Sequence, residues 1–578
     1  MEAIVGVHGD ENATAEASQD WPVPRFVERR LGRFDQRSLS AWIIGIAAVV
    51  AFLIRWTQDD SFISLRYARN FVEGHGLVYN PGDNVEGYTN FLWTMLMAIP
   101  LKLGRDPVLF GHLIGVASMC VTLLATIRIA TRIFDSKLLG NFTALILLTN
   151  LTFIAYATGG LETQLQTALI MCVWGLAIPT LLSPLNTWQS RTPPLRTVDL
   201  LLLSVAAGLA ILTRLDSVLI IVVPAIAVFW VVLRARKHLL VNLIALVVPV
   251  LILVVPWTVW RLDTYGSLIP NTAVAKENTL RVSLLQGMSF LFFFIVLNLL
   301  FVFVPTAVVR GREVLVRRPF VAVSATLGLW ILYLLKVGAD FMEFRFMVAV
   351  LPLLSLVLVG LICRTRSEVL KKVLVSSLVA GLVVHFAVLG ATGGIANLDT
   401  IPDLNDYVAN PMSGEIVMGK ELRTVLHGSE AAELPGSGSA IIASSAAGAI
   451  PYFARLRAID PLGLNDRWTA RHGLLLDSRK IPKPGHTRMS TFAYLNEQDV
   501  NLLVGFRGSP RPDGYDMDDL YRIFREAEPD VEHLRRDATM IEMPMQDGTV
   551  YALVYLKPHP DIDAAVRSGR WHEVPLDF

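Results

Sequence analysis

Apolar runs long enough to cross a hydrocarbon core of about 30 Å recur along this chain from Leu39 to Ala391 and then stop. They lie near 39–56, 107–130, 138–157, 164–182, 198–213, 217–233, 239–260, 287–309, 319–336, 346–363 and 373–391. The stretch Phe91–Leu103 is also apolar, but at 1.5 Å per residue it reaches only about 20 Å, so it is expected as a half-buried or interfacial helix. From Thr392 onward the pattern shortens. Strands are expected at Ser439–Ser444, Leu456–Ile459, Val500–Val504 and Thr549–Tyr555, and helices near Glu415–Leu426 and Met517–Glu526. The predicted fold class is therefore a polytopic α-helical membrane protein of about eleven spans followed by a C-terminal α/β domain. The expected division is an N-terminal segment 1–38, a transmembrane domain 39–391 and a tail 392–578.

Charge orients the spans. Lys and Arg cluster at Arg128/Arg132/Lys137, Arg191/Arg196, Arg234/Arg236/Lys237, Arg310/Arg312/Arg317/Arg318 and Arg364/Arg366/Lys371/Lys372, in every second loop. Cytoplasmic loops are enriched in these residues. Arg25, Arg29, Arg30, Arg33 and Arg37 precede the first run, which predicts an uncleaved anchor with its N-terminus inside and, after an odd number of spans, a tail outside. The composition agrees: 53% hydrophobic and 17% charged, where soluble chains carry about a quarter charged residues. A net charge of +1 suggests no nucleic-acid partner. Cys120, Cys172 and Cys363 lie in or at the ends of apolar runs and read as packing residues.

The loops assigned to the outer side are 57–89, 158–162, 213–217, 261–281 and 337–345. Each places an acid, usually with a base, at a helix end, where ionised groups mark substrate or ion sites more often than lipid-facing surface. Singly, each has a plain reading: Arg55 or Arg261 as a snorkelling anchor, Glu162 as a helix cap, Asp216 as the ion-pair partner of Arg214. All five loops sharing this character is what those readings leave unexplained. Asp59 and Asp60 follow the first span directly, where a carboxylate with a raised pKa can take a proton from a hydroxyl. The alternative is that the pair caps a helix starting near Ser61. Spacing does not separate the two acids; Asp59, as the first acid after the span, is the expected base, with Asp60 supporting it.

The stretch DDSFISLRYARNFVEGHGLVYNPGDNVEGYTNFLW, followed by GGLET, LTRLDS, YGSLIPNTAVAK, GADFMEFRF and IPYFARLRAIDPLGLND, resembles bacterial GT-C glycosyltransferases, especially arabinofuranosyltransferases. The resemblance covers most of the chain. It implies a GT-C membrane fold, a polyprenyl-phosphate sugar donor, and a cell-envelope glycan or protein acceptor outside the cytoplasmic membrane of a bacterium. Asp59 and Asp60 would then be the acidic motif, one of them the base, and Arg345, with Asp340 before it, would lie near the donor phosphate. Arg66, Arg69, Arg261 and Lys276 are further candidates for that phosphate, with Glu162, Arg214 and Asp216 completing the donor set. Glu86, Tyr88, Asn90, Trp93 and Asn271 are expected to contact the acceptor or shape the loops. Arg214-Leu215-Asp216 and Met342-Glu343-Phe344 depart from the group's usual sequence.

A lipid-phosphate leaving group needs positive charge as the glycosidic bond breaks, and outer Arg or Lys side chains supply it without a nucleotide site. No nucleotide-binding motif of the G-x-G-x-x-G or G-x-x-x-x-G-K-[ST] type is present. No cofactor is required by any motif and no residue is assigned to a metal; a divalent ion is left open, and His472, His486 and His533 are too scattered to hold one. Transfer of mannose or another pentose is the alternative within this class. A polytopic lipid or sugar transporter is the alternative outside it, against which stand the missing repeated halves and midplane Gly/Pro breaks.

Overall fold

The computed structural model describes residues 21–183, 195–235, 238–392, 414–475, 487–504, 510–511, 514–515, 538–545 and 550–574. The expected helix near Met517–Glu526 and His486 and His533 lie outside them. Among the described residues, eighteen α-helices form the first part: α1 (Arg25–Leu31), α2 (Gln36–Leu53), α3 (Asp59–Val72), α4 (Phe91–Lys102), α5 (Pro107–Phe134), α6 (Lys137–Leu147), α7 (Leu151–Ala155), α8 (Thr163–Leu182), α9 (Thr197–Thr213), α10 (Ser217–Ala235), α11 (Leu239–Tyr265), α12 (Asn271–Ala275), α13 (Leu280–Leu297), α14 (Val304–Leu315), α15 (Arg318–Val337), α16 (Arg345–Val348), α17 (Leu351–Arg364) and α18 (Glu368–Thr392). Among the described residues, eight are long and apolar enough to cross a membrane: α2, α5, α8, α10, α11, α13, α15 and α18.

The other three expected spans fall on shorter helices, α6 with α7, α9, and α17. Two of the expected spans are broken where hydropathy shows nothing. Asn150 ends the run after α6: its side chain accepts from the Phe153 amide to start α7 and donates to Asn298 Oδ1 at 2.8 Å. Asn298 in turn closes α13, donating to the Phe294 carbonyl, and Leu299 turns left-handed at φ 50°. The expected span 287–309 is therefore corrected to 280–297, because one buried amide pair satisfies the helix ends that the apolar sequence would have continued. Helix α4, twelve residues long, is as short as expected.

Among the described residues, the tail is built on a six-stranded sheet in the order β10-β8-β9-β5-β1-β2, from β1 (Ile442–Ser444), β2 (Ala458–Ile459), β5 (Leu502–Val504), β8 (Thr539–Pro544), β9 (Val550–Tyr555) and β10 (His572–Val574). Strand β1 is parallel to β2 and β5; the other pairings are antiparallel. The pairs β3 (Leu474–Leu475) with β4 (Arg488–Met489) and β6 (Pro510–Arg511) with β7 (Gly514–Tyr515) stand apart. The four expected strands are present, shortened at their ends; β8 and the helix Pro560–Arg567 were not expected.

Because β1 and β2 are parallel, their C-terminal ends lie side by side, where open α/β sheets place their working loops. The loop after β1 leads into the helix Ala449–Ala454, and the loop after β2 carries Asp460–Asp466. Both meet the segment that follows the first apolar helix. Arg66, fully buried, donates to the carbonyls of Tyr79, Pro451 and Leu456, and Arg69 binds Glu433 at 2.5 Å. Phe62 packs on Tyr452 and Phe453 with centroids 5.5 and 5.3 Å apart.

Candidate active site

Helix α3 has two working faces. At 3.6 residues per turn, positions 59, 62, 66 and 69 share one side, and 60, 63, 64 and 67 share another. The first side holds the tail. Asp59 accepts from the backbone amides of Gly448 at 3.0 Å and Ala449 at 2.7 Å, so its carboxylate sits at the start of the helix Ala449–Ala454. Burial raises Asp59 to about 8 against these two hydrogen bonds, with Asp60 and Glu415 adding to the rise. The second side opens on a cavity of about 640 Å³, which Asp60, Ile63 and Ser64 line.

The cavity brings together residues from five loops. Asp60 shares it with Glu162, Arg214, Lys276, Asp340 and Arg345. Glu162, whose side chain is fully buried, is the hub: Arg345 donates to it at 2.6 Å, Arg214 at 2.9 Å and Asn90 at 2.8 Å. Burial pushes the Glu162 carboxyl up, but Arg345 and Arg214 outweigh it and hold it down at about 2. Arg214 is gripped from the other side by Asp216 at 2.5 Å, and Asp340 lies 3.5 Å from Arg345. Asp60 is different: burial raises it, opposed by Lys276 and Arg345 and reinforced by Asp340 and Glu162. One acid is thus held ionised by the cations around it, while burial raises the other.

Several expected roles change place. Asp59, the expected base, does not line the cavity; it caps a tail helix. Arg66 and Arg69, expected at a donor phosphate, are spent on the tail's carbonyls and Glu433. Arg261 is held by Glu86 through two hydrogen bonds of 2.8 and 2.6 Å, and neither lines the cavity. Asn271 donates to the carbonyls of Gly463, Leu464 and Asp466, so it seats the loop after β2. Trp93 donates to the Gly160 carbonyl and is a packing residue. Tyr88 and Asn90 do line the cavity. The period of α3 carried the signal that separates Asp59, Arg66 and Arg69 from Asp60.

Lys336 and Leu464 are among the cavity residues that were not foreseen. Lys336, in the last turn of α15, was read as the end of a span, and Leu464 of the tail reaches the cavity through a loop that Asp460 organises by accepting from the Leu462 and Asn465 amides. Among the described residues, the grouping with metal-ligand spacing is Glu73, His75 and Glu430, none of which lines the cavity.

The seam is tight enough to test. A Cβ on Gly448 would stand 1.9 Å from the Asp59 carbonyl oxygen. Gly448→Ala is expected to force the tail off α3, costing about 1–3 kcal/mol as overpacked sites do. Limited proteolysis should then release the tail faster than in the parent protein. An unchanged cleavage rate and unfolding midpoint would show that the seam does not hold the tail.

A domain of unknown function (DUF8728) matches residues 418–543. A terminal beta-(1->2)-arabinofuranosyltransferase of Mycobacterium tuberculosis (strain ATCC 25618 / H37Rv) is 28% identical over 258 residues, which is 41% of this chain. The chain is similar to these transferases. The enzyme of the same description from Corynebacterium glutamicum is 24% identical over 355 residues, or 55% of the chain. The matches span only 38% and 50% of those relatives' own lengths. Among solved structures, ArnT from Cupriavidus metallidurans bound to undecaprenyl phosphate superposes with a TM-score of 0.47 at 13% identity, covering 89% of this chain and 97% of that one. An Archaeoglobus fulgidus oligosaccharyltransferase gives 0.46 at 12% identity, covering 88% and 72%.

Proposed function

We propose that this chain is a GT-C membrane glycosyltransferase that transfers a sugar, arabinofuranose, from a polyprenyl-phosphate donor to a cell-envelope acceptor on the extracytoplasmic side. The observation that carries the reading is the cavity in which Asp60 faces Lys276 and Arg345, a carboxyl with a raised pKa beside cations on separate loops. The acceptor hydroxyl gives its proton to the Asp60 carboxylate as its oxygen bonds to the anomeric carbon, and the bond from that carbon to the phosphate breaks. Lys276 and Arg345 stabilise the charge growing on the departing polyprenyl phosphate. The sugar is chosen from the likeness to the arabinofuranosyltransferases.

Reconstituted protein given radiolabelled polyprenyl-phosphate arabinose and a cell-envelope glycan should release polyprenyl phosphate and form a new glycoside. A transporter would move the lipid-linked sugar and release nothing, which would end the reading. For sidedness, an alkaline-phosphatase fusion after Asp399 should be active. An inactive one, with an active cytoplasmic reporter at the same place, would turn the site inward.

A further inference from the structure

On the face where the basic loops gather, Trp21 lies 5% exposed, packed edge-on against Phe134 at 5.0 Å and tilted against Phe320 at 5.4 Å. Two guanidinium groups lie over this single indole. The Cζ of Arg317 is 4.6 Å from the ring centroid and that of Arg364 is 4.4 Å. They arrive from different helix ends, Arg317 just before α15 and Arg364 as the last residue of α17. For Arg364 the helix end is favourable; Arg317 sits against the positive end of α15.

The charge here is not balanced within the described residues. On the same face Arg310 pairs with Glu313, and Lys371 with Glu368. No ion pair joins Arg317 or Arg364 to a described carboxylate, and Nε and one terminal nitrogen of Arg364 are buried without a hydrogen-bond acceptor. Burial and the neighbouring Arg364 both lower the pKa of Arg317, the mark of like charges held together. Aromatic stacking offsets part of this repulsion, but it accepts none of the in-plane N–H groups, and buried donors left unpaired are costly.

We infer that Arg317, Trp21 and Arg364 form a binding site for a phosphate-bearing anion. The indole holds both guanidinium groups against one ring, and Nε and one terminal nitrogen of Arg364 have no acceptor, donors of the kind that match phosphate oxygens. Its sources are an acidic phospholipid headgroup or free phosphate; basic pockets between helix ends on this side of a membrane protein suit the former. None of the three residues lines the large cavity, so the inference is independent of the proposed transfer reaction.

The test uses the full chain. Delipidated protein in detergent is titrated with inorganic phosphate. Protein reconstituted in phosphatidylcholine nanodiscs with and without phosphatidylglycerol is examined by native mass spectrometry for retained lipid. The parent should retain phosphatidylglycerol, and the Arg317→Gln/Arg364→Gln double variant should lose about tenfold of that affinity. Arg310→Gln, which removes a neighbouring charge already paired, should retain it as the parent does. If millimolar inorganic phosphate raises the parent's unfolding midpoint and displaces the lipid, the site takes the free anion as well; if only the lipid binds, it is a headgroup site. Folding is controlled by sign: in anion-free detergent Arg364→Gln relieves a repulsion, so its midpoint should equal or exceed the parent's. A midpoint well below it would mean the pair is satisfied without an anion and would overturn the inference. So would a double variant that binds phosphatidylglycerol and phosphate as well as the parent.

Discussion

Asp60→Asn is expected to lower turnover about a hundred- to ten-thousand-fold, the usual loss when a general base is removed, with donor affinity nearly kept. The amide preserves the shape of the side chain but cannot take the acceptor proton. Asp59→Asn should behave differently: it loses one of its two carboxylate oxygens as acceptor for the Gly448 and Ala449 amides, so it should loosen the tail and reduce turnover only through that. The pH profile separates the two. In the proposed transfer Asp60 works as the free carboxylate, so the parent's turnover should fall as pH drops through the pKa of this group, which burial places above the ordinary carboxylate range. That acid limb should vanish in Asp60→Asn and persist in Asp59→Asn. Near-normal turnover in Asp60→Asn would remove it from the chemistry.

Glu162→Gln should give the largest loss of stability, about 3–5 kcal/mol, as when one partner of a buried ion pair is deleted. Arg345 and Arg214 both lean on this carboxylate, and its removal leaves two guanidinium groups close together with only Asp216 and Asp340 to balance them. The effect has a pH signature. A carboxyl lowered on folding from 4.5 to about 2 stabilises fully above pH 4.5 and loses that contribution as pH falls toward 2. Unfolding midpoints of parent and variant should therefore differ most at neutral pH and converge in acid. Arg345 would also lose its fixed position, so donor affinity should fall along with turnover. A variant as stable as the parent at neutral pH would show that the cluster is balanced in some other way.

Much of this architecture was legible because lipid simplifies the problem: a segment in hydrocarbon must satisfy its own backbone, so a long apolar run reads as a helix. The breaks at Asn150 and Asn298 escaped that logic, since an apolar sequence does not say that two amides 148 positions apart will meet and end both helices. The loops bearing the cavity's acids and bases were also readable, as five polar exceptions at helix ends. Their division of labour was only half readable. Glu162, Arg214, Lys276, Asp340 and Arg345 do converge with Asp60, whereas Arg66, Arg69, Arg261, Glu86 and Asn271 proved to hold loops and tail together.

The sequence by itself determined that this chain is built of apolar helices joined by charged loops and ends in a mixed α/β tail, because run length and alternation are local properties. Once the helix starts at Asp59, Asp59 and Asp60 cannot face the same way, since neighbours on a helix diverge by about 100°. Which of them turns to the cavity was decided only by tertiary structure. The helix Ala449–Ala454, some 390 positions away along the chain, offers two free amides to Asp59 and leaves Asp60 to face Lys276 and Arg345. A carboxylate goes to the donors that packing brings to it, and no spacing within the motif records where those donors come from.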